Sequence, residues 1–234
     1  MKKKFLFLQF RENRKAALSE KKSFLRVLKI PPSQFKIKNF FREKVNLSRK
    51  EILKFDGLII GGSSEFSLSE KKEKKELWRK VKKAIDCLEN IRKEKIPILG
   101  ICFGHQILAY ILGGEIGRVK NQEETGSSFV FLTEKGKSDL LFSGLPGKFI
   151  VQQGHKDSLK KLPPGAILLA KGRRCKIQAF RLKNIYGVQF HPELNLKDVK
   201  LKLKENPDYR RKNMKFKPSP QGAKILRNFS DLIC

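Results

Sequence analysis

The stretch Ile96-Pro97-Ile98-Leu99-Gly100-Ile101-Cys102-Phe103-Gly104-His105-Gln106 constrains the fold more than any other. Its short apolar run predicts a strand over 96–101, buried on both faces. A short helix is predicted over 103–112, with Gly113-Gly114 at its C-terminal end. Between the two elements, glycines at 100 and 104 permit a sharp turn with Cys102 at its apex, a nucleophile elbow carrying sulfur where others carry a serine oxygen. A strand passing straight into a helix belongs to layered α/β architecture.

The same rhythm runs through the first half. Residues 5–10 predict a buried strand, and 13–30 a helix carrying Leu18, Leu25 and Leu28 that Pro31-Pro32 ends. Phe35, Ile37 and Phe41 alternate with lysines, the period of a half-exposed strand near a sheet edge. Leu58-Ile59-Ile60 runs into Gly61-Gly62-Ser63-Ser64, a loop whose backbone can approach a ligand closely. Leu77, Val81, Ala84, Ile85, Leu88 and Ile91 form one apolar helical stripe. The second half is richer in strands, expected at 128–132, 166–170, 177–180 and 185–190. A basic, loop-rich excursion is expected over 196–217, then a final helix opened by Ser219-Pro220 and burying Ile225, Leu226, Phe229 and Leu232. The expectation is one α/β domain over 1–234, with a mostly parallel central sheet flanked by helices.

Lys and Arg total 53 against 23 Asp and Glu, a net charge of +30, which raises nucleic acid or an acidic partner as a binding class. The surplus is mostly lysine and spread over every expected helix, so a solvated basic surface is the preferred reading. Cys87, Cys102, Cys175 and Cys234 show no C-x-x-C spacing, so neither a zinc site nor a disulfide framework is indicated, and a reducing compartment fits best. The start, Met1 to Leu8, imitates a signal peptide, but Gln9 and Arg11 cut it short. It is read as a first strand. No apolar run reaches the roughly 18 residues of a membrane span, so a cytoplasmic protein with no membrane association is expected.

A helix N-terminus favours the thiolate, the reactive form of Cys102. Cys87 and Cys175 are read as structural. A thiolate attacking an amide needs a proton shuttle, and the chain offers His105, His155 and His191. His105 lies in the elbow helix and should point away. His191 follows a strand that should end at the same sheet edge as Cys102, with Glu193 two residues on, a spacing that can set a carboxylate against the imidazole.

Together the Cys102 elbow, the Gly61-Gly62 loop and Val188-Gln189-Phe190-His191-Pro192-Glu193 resemble the class I glutamine amidotransferases, in the family's order and over essentially the whole chain. Gly154-His155-Lys156-Asp157 and Leu162-Pro163-Pro164-Gly165-Ala166 look like the stand-alone relatives of the amidotransferase domain of GMP synthetase. The resemblance implies a flavodoxin-like fold and release of ammonia from the γ-amide of glutamine through a cysteinyl thioester, with no metal or organic cofactor. It implies Cys102 as nucleophile, His191 as general base and acid, and Glu193 as its orienting group. It also implies an oxyanion hole from the N–H groups of Gly62 and Phe103, and substrate holding by Gln106 and by main-chain groups near His155 and Lys156. Ser63 departs from the Pro of many members, and Lys156 from a Gly. The ammonia acceptor, if any, would be a separate synthase subunit. Two alternatives stand: a γ-glutamyl peptide hydrolase with the same triad, and an idle basic module that binds nucleic acid or a protein.

Overall fold

The computed structural model describes residues 3–205, 209–210 and 214–233. Its elements in chain order are β1 (Phe5–Gln9), α1 (Arg14–Leu28), β2 (Phe35–Asn39), α2 (Arg49–Ile52), β3 (Gly57–Ile60), α3 (Lys75–Glu89), β4 (Ile98–Ile101), α4 (Phe103–Ile111) and β5 (Glu115–Arg118). They continue with β6 (Glu124–Leu132), α5 (Glu134–Lys137), β7 (Lys148–His155), β8 (Asp157–Lys161), β9 (Ile167–Gly172), β10 (Ala179–Leu182), β11 (Ile185–Val188), α6 (Leu196–Glu205) and α7 (Pro220–Asp231).

A nine-stranded sheet in the order β2-β1-β3-β4-β11-β10-β9-β6-β7 forms the centre. The strands from β2 to β11 pair in parallel, and the remainder of the sheet is antiparallel. Parallel strands need crossovers: α1 joins β1 to β2, the segment carrying α2 joins β2 to β3, α3 joins β3 to β4, and α4 begins the long return from β4 to β11. Leu58-Ile59-Ile60 and Ile98–Ile101 are wholly buried, as unbroken apolar runs inside a two-faced sheet must be. One core cluster packs α3 and α4 against one face through Val81, Ala84, Leu88 and Ile107, and a second packs α1 and α7 against the other through Phe24, Val27, Ile225 and Phe229.

The elbow depends on close packing of backbone. A methyl group on Gly104 would overlap the carbonyl of Ile60, and one on Gly100 would overlap the carbonyl of Gly104. Gly104→Ala should therefore cost about 2–3 kcal/mol as an overpacked core position, read as a lower urea midpoint at unchanged m-value.

Several expectations shift. Leu18 is half exposed and Phe24 takes its place on the buried face of α1. The strands of the second half start or end up to several residues from their expected bounds. β5, β7 and β8 have no counterpart among the expected strands, because their burial patterns mix buried and exposed positions without a clean alternation. The 196–217 excursion is not all loop: α6 occupies its first half, because Val199 and Leu203, one turn apart, bury with Leu194 in a small third core. The rest of that excursion falls partly outside the described residues, as does Cys234. Ser219 stands at the start of α7, but its hydroxyl accepts from Gln152 Nε2 (2.9 Å) instead of capping the helix. No described helix is long and apolar enough to cross a membrane.

Candidate active site

Strand register brings the expected site residues to one edge of the sheet. β4 lies between β3 and β11, with Gly100 paired to Ile60 and Ile101 paired to Val188. The residues that follow these strands, Gly61-Gly62, Cys102 and His191, therefore leave the sheet side by side. This is where parallel α/β sheets collect ligands.

Cys102 sits in a positive-φ backbone conformation outside the ordinary wells, φ 53° and ψ −103°, directly before α4. A non-glycine residue holds that geometry only where its surroundings enforce it. The Cys102 N–H is bonded to the Val188 carbonyl at 2.9 Å and its carbonyl accepts from Gln106 N at 3.1 Å, so both flanks of the turn are tied down. The thiol points toward the Gly154 carbonyl at 3.7 Å.

His191 is buried, and its N–H donates to the Gln152 carbonyl at 2.8 Å. Its Nδ1 pairs with Glu193 Oε1 at 2.7 Å, leaving Nε2 for the sulfur side. Burial alone would lower the imidazole's pKa; the Glu193 carboxylate and the Cys102 sulfur outweigh it and push the ring up to about 9. Burial likewise raises Glu193, but His191 prevails and holds its carboxyl below the usual range, helped by the ammonium of Lys202 on α6. Arg26 donates to the Glu193 carbonyl at 3.0 Å, fixing the turn that carries the carboxylate.

The backbone of Gly62 flanks both groups: a Cβ there would lie 3.0 Å from His191 Cε1 and 3.6 Å from Cys102 Cβ. Phe103 is the first residue of α4, where helical N–H groups point outward. Its ring is wedged edge-on against Phe10 and Phe66. Ser63 Oγ accepts from Phe66 N at 3.2 Å, closing by a side-chain bond the loop that a proline would stiffen by its ring.

The expected substrate-holding residues are also adjacent: Cys102, Gln106, Gly154, His155 and Lys156 border one small cavity. The Gln106 amide nitrogen is committed to the Asp157 carbonyl (2.8 Å) and Gln189 Oε1 (3.2 Å). The carboxylate of Asp157 in turn holds Ser69 N and Oγ at 2.9 and 2.6 Å. His105 packs on the Phe180 ring away from this cavity, and burial lowers it to about 3.

A brace beneath the glycine loop has no forerunner in the sequence pattern. Arg11 pairs with the fully buried Glu20 at 2.8 Å, donates to Ser64 Oγ at 2.9 Å and approaches Glu65 Oε2 at 3.6 Å. Burial would raise the carboxyl of Glu65, and Arg11 overcomes this and lowers it. No local pattern marks this cluster, because its members come from three separate parts of the chain.

A metal could find ligands at Glu124, His155 and Cys175, buried and with one donor atom each within 4.8 Å of the others. Each of the three has an internal hydrogen bond, but His155 Nε2, the ring nitrogen that faces Glu124 Oε2 at 3.6 Å, is buried without one. Gln178 Nε2 donates to Glu124 at 2.7 Å, His155 Nδ1 meets the Asp157 carbonyl at 3.1 Å, and the Cys175 thiol donates to the Ile177 carbonyl at 3.5 Å. Burial first, then Glu124, pushes that thiol up to about 12. Glu124 on β6 thus links Gln178 and His155 at the end of β7.

The family model for glutamine amidotransferase class-I matches residues 12–207. The chain belongs to the class-I glutamine amidotransferase family. Among curated relatives of this amidotransferase, a subunit of the glutamine-hydrolyzing GMP synthase of Methanocaldococcus jannaschii is 41% identical over 116 residues, 49% of this chain and 60% of that protein. The protein of the same name from Thermococcus kodakarensis is 42% identical over 147 residues, 62% of this chain and 64% of that protein. The aligned stretch is thus less than two thirds of either relative. A crystal structure of a glutamine amidotransferase from Thermotoga maritima superposes with a TM-score of 0.77 at 23% identity, covering 100% of this chain and 98% of that one. The crystal structure of a proposed GMP synthase subunit from Thermoplasma acidophilum superposes at 0.69 with 24% identity, covering 99% and 94%. These structural likenesses establish the shared α/β fold.

Proposed function

We propose that this amidotransferase hydrolyses the γ-amide of glutamine through a thioester on Cys102, with His191 as proton shuttle and Glu193 as its orienting group. The observation that carries the proposal is the convergence of a strained, helix-capping cysteine with a histidine locked to a carboxylate at 2.7 Å. Attack of the Cys102 thiolate on the amide carbon places negative charge on the carbonyl oxygen, toward the N–H groups of Gly62 and Phe103. Each preorganised donor of this type contributes about 3 kcal/mol. His191 Nε2 gives its proton to the departing nitrogen as the C–N bond breaks, and ammonia leaves.

The same electrostatics then reset the histidine. Once Cys102 is acylated its negative charge is gone, removing one of the two influences that hold the ring near 9. The imidazole becomes a better fit for taking a proton from water, which attacks the thioester and releases glutamate and the thiolate. Every bond broken or formed in this sequence is served by side chains of this chain and by water.

The relatives' names carry glutamine hydrolysis and a subunit of GMP synthase. For this chain we propose glutamine as substrate and a separate synthetase subunit to receive the ammonia. The γ-glutamyl peptide hydrolase and the idle basic module draw less support, since neither is named among these relatives and the charge of +30 is the whole case for nucleic acid. Incubation with a glutamine-like diazo ketone, followed by peptide mass spectrometry, is expected to label Cys102 and spare Cys87 and Cys175. Equal labelling would defeat the assignment. Ammonia release from glutamine, measured with and without a synthetase subunit, tests the activity itself.

A further inference from the structure

The excursion that follows His191 and Glu193 contributes a wall to the site. Leu194, Val199 and Leu203 bury one another, and Tyr209 packs against this cluster. From there its ring borders two adjoining cavities. One, of about 10 Å³, is lined by Cys102, Gln106 and Gly154; the other, of about 60 Å³, is lined by His191, Arg11 and Lys202. Lys156 Nζ stands over the ring, 5.0 Å from its centroid and within cation–π range. Tyr209 is thus held by an apolar cluster and a cation, where the cavity on the cysteine side and the cavity on the histidine side of the site adjoin.

That boundary has a chemical meaning, which rests on the function proposed above. The nitrogen expelled from the substrate leaves toward His191, so any substituent on that nitrogen must occupy the space beyond Cys102 where the Tyr209 ring lies. A primary amide carries no substituent there, whereas a γ-glutamyl peptide or anilide carries a whole residue or ring. We propose that Tyr209 is the specificity residue that restricts this enzyme to the unsubstituted γ-amide, by filling the leaving-group side of the cleft. The ring does this by volume, held by Leu194, Val199, Leu203 and Lys156, and its hydroxyl is not needed. A stretch with no part in bond making thereby separates an amidotransferase from a γ-glutamyl peptide hydrolase that has the same triad.

The test compares glutamine with γ-glutamyl-p-nitroanilide in wild type, Tyr209→Ala and Tyr209→Phe, with thermal midpoints recorded for each. Tyr209→Ala is expected to raise the anilide-to-glutamine ratio of kcat/KM about tenfold or more, the scale on which pocket volume discriminates, while Tyr209→Phe keeps the wild-type ratio. A second readout needs no turnover: the alkylation rate of Cys102 by N-phenylmaleimide relative to iodoacetamide should rise in Tyr209→Ala. A folded Tyr209→Ala in which both ratios are unchanged overturns the proposal. If the alkylation ratio moves but wild type releases no ammonia from glutamine, the wall stands and the glutaminase reading falls. Should the alanine variant melt early, Tyr209→Leu carries the same comparison.

Discussion

Cys102→Ala is expected to lower glutamine hydrolysis by on the order of 10⁴-fold or more, the scale seen when a covalent nucleophile is removed. The positive-φ turn at residue 102, fixed by the Val188 and Gln106 hydrogen bonds, delivers one side chain between Gly62 and His191, and no other described thiol is positioned to substitute. Cys175 is fully buried and its thiol is pushed up to about 12, while burial raises Cys87 as well. If the proposed nucleophile and shuttle act as a unit, His191→Ala should be nearly as damaging, and the double variant little worse than either alone. A coupled glutamate dehydrogenase assay on the purified variants checks this. A Cys102→Ala protein retaining a tenth of wild-type turnover would place the chemistry elsewhere.

The second large effect concerns pH. His191 is held up to about 9 by Glu193 and Cys102 against the pull of burial. The cationic ring proposed to protonate the leaving nitrogen is therefore expected to be populated at neutral pH, and formation of the thioester should decline as pH rises through about 9. Glu193→Gln removes the first of the two raising influences, so this alkaline limb should move down toward the ordinary histidine value near 6.5, with a loss at pH 8 greater than at pH 6. The stability linkage has the same sign. A folded value above the unfolded one means that the pair's contribution is fully present below about pH 6.5 and is lost as pH climbs through about 9. Single-turnover acylation followed across pH in both proteins gives the rate limb, and urea midpoints at pH 6 and pH 9.5 give the stability. An unmoved limb in Glu193→Gln would mean that the carboxylate only packs against the ring.

Much of this site could be read from the chain because its members lie where strands end. Cys102 follows β4 and His191 lies just beyond β11, and an apolar run followed by glycine or by His-Pro-Glu marks such an end locally. The Gly61-Gly62 loop is legible for the same reason. The Arg11–Glu20–Ser64 brace was not, since a buried ion pair between a strand end and a helix leaves no periodic trace in either. Nor was Tyr209, which reads in sequence as one aromatic residue in a basic stretch.

By itself the sequence determined the alternation of strand and helix in the first half, the buried faces of α3 and α7, the family and the residues proposed as its triad. These are local properties, set by hydrophobic period, by backbone freedom at glycine and proline, and by motifs a few residues long. Only the tertiary structure decided that the sheet turns antiparallel after β11, that half of the lysine-rich excursion is a helix packed beside the site, and that His191 is pushed up above its ordinary value. Each of these depends on groups far apart in the chain. Strand order follows from which apolar faces can be covered together, α6 from a core that Leu194 must complete, and the histidine's upward shift from burial set against Glu193 and Cys102.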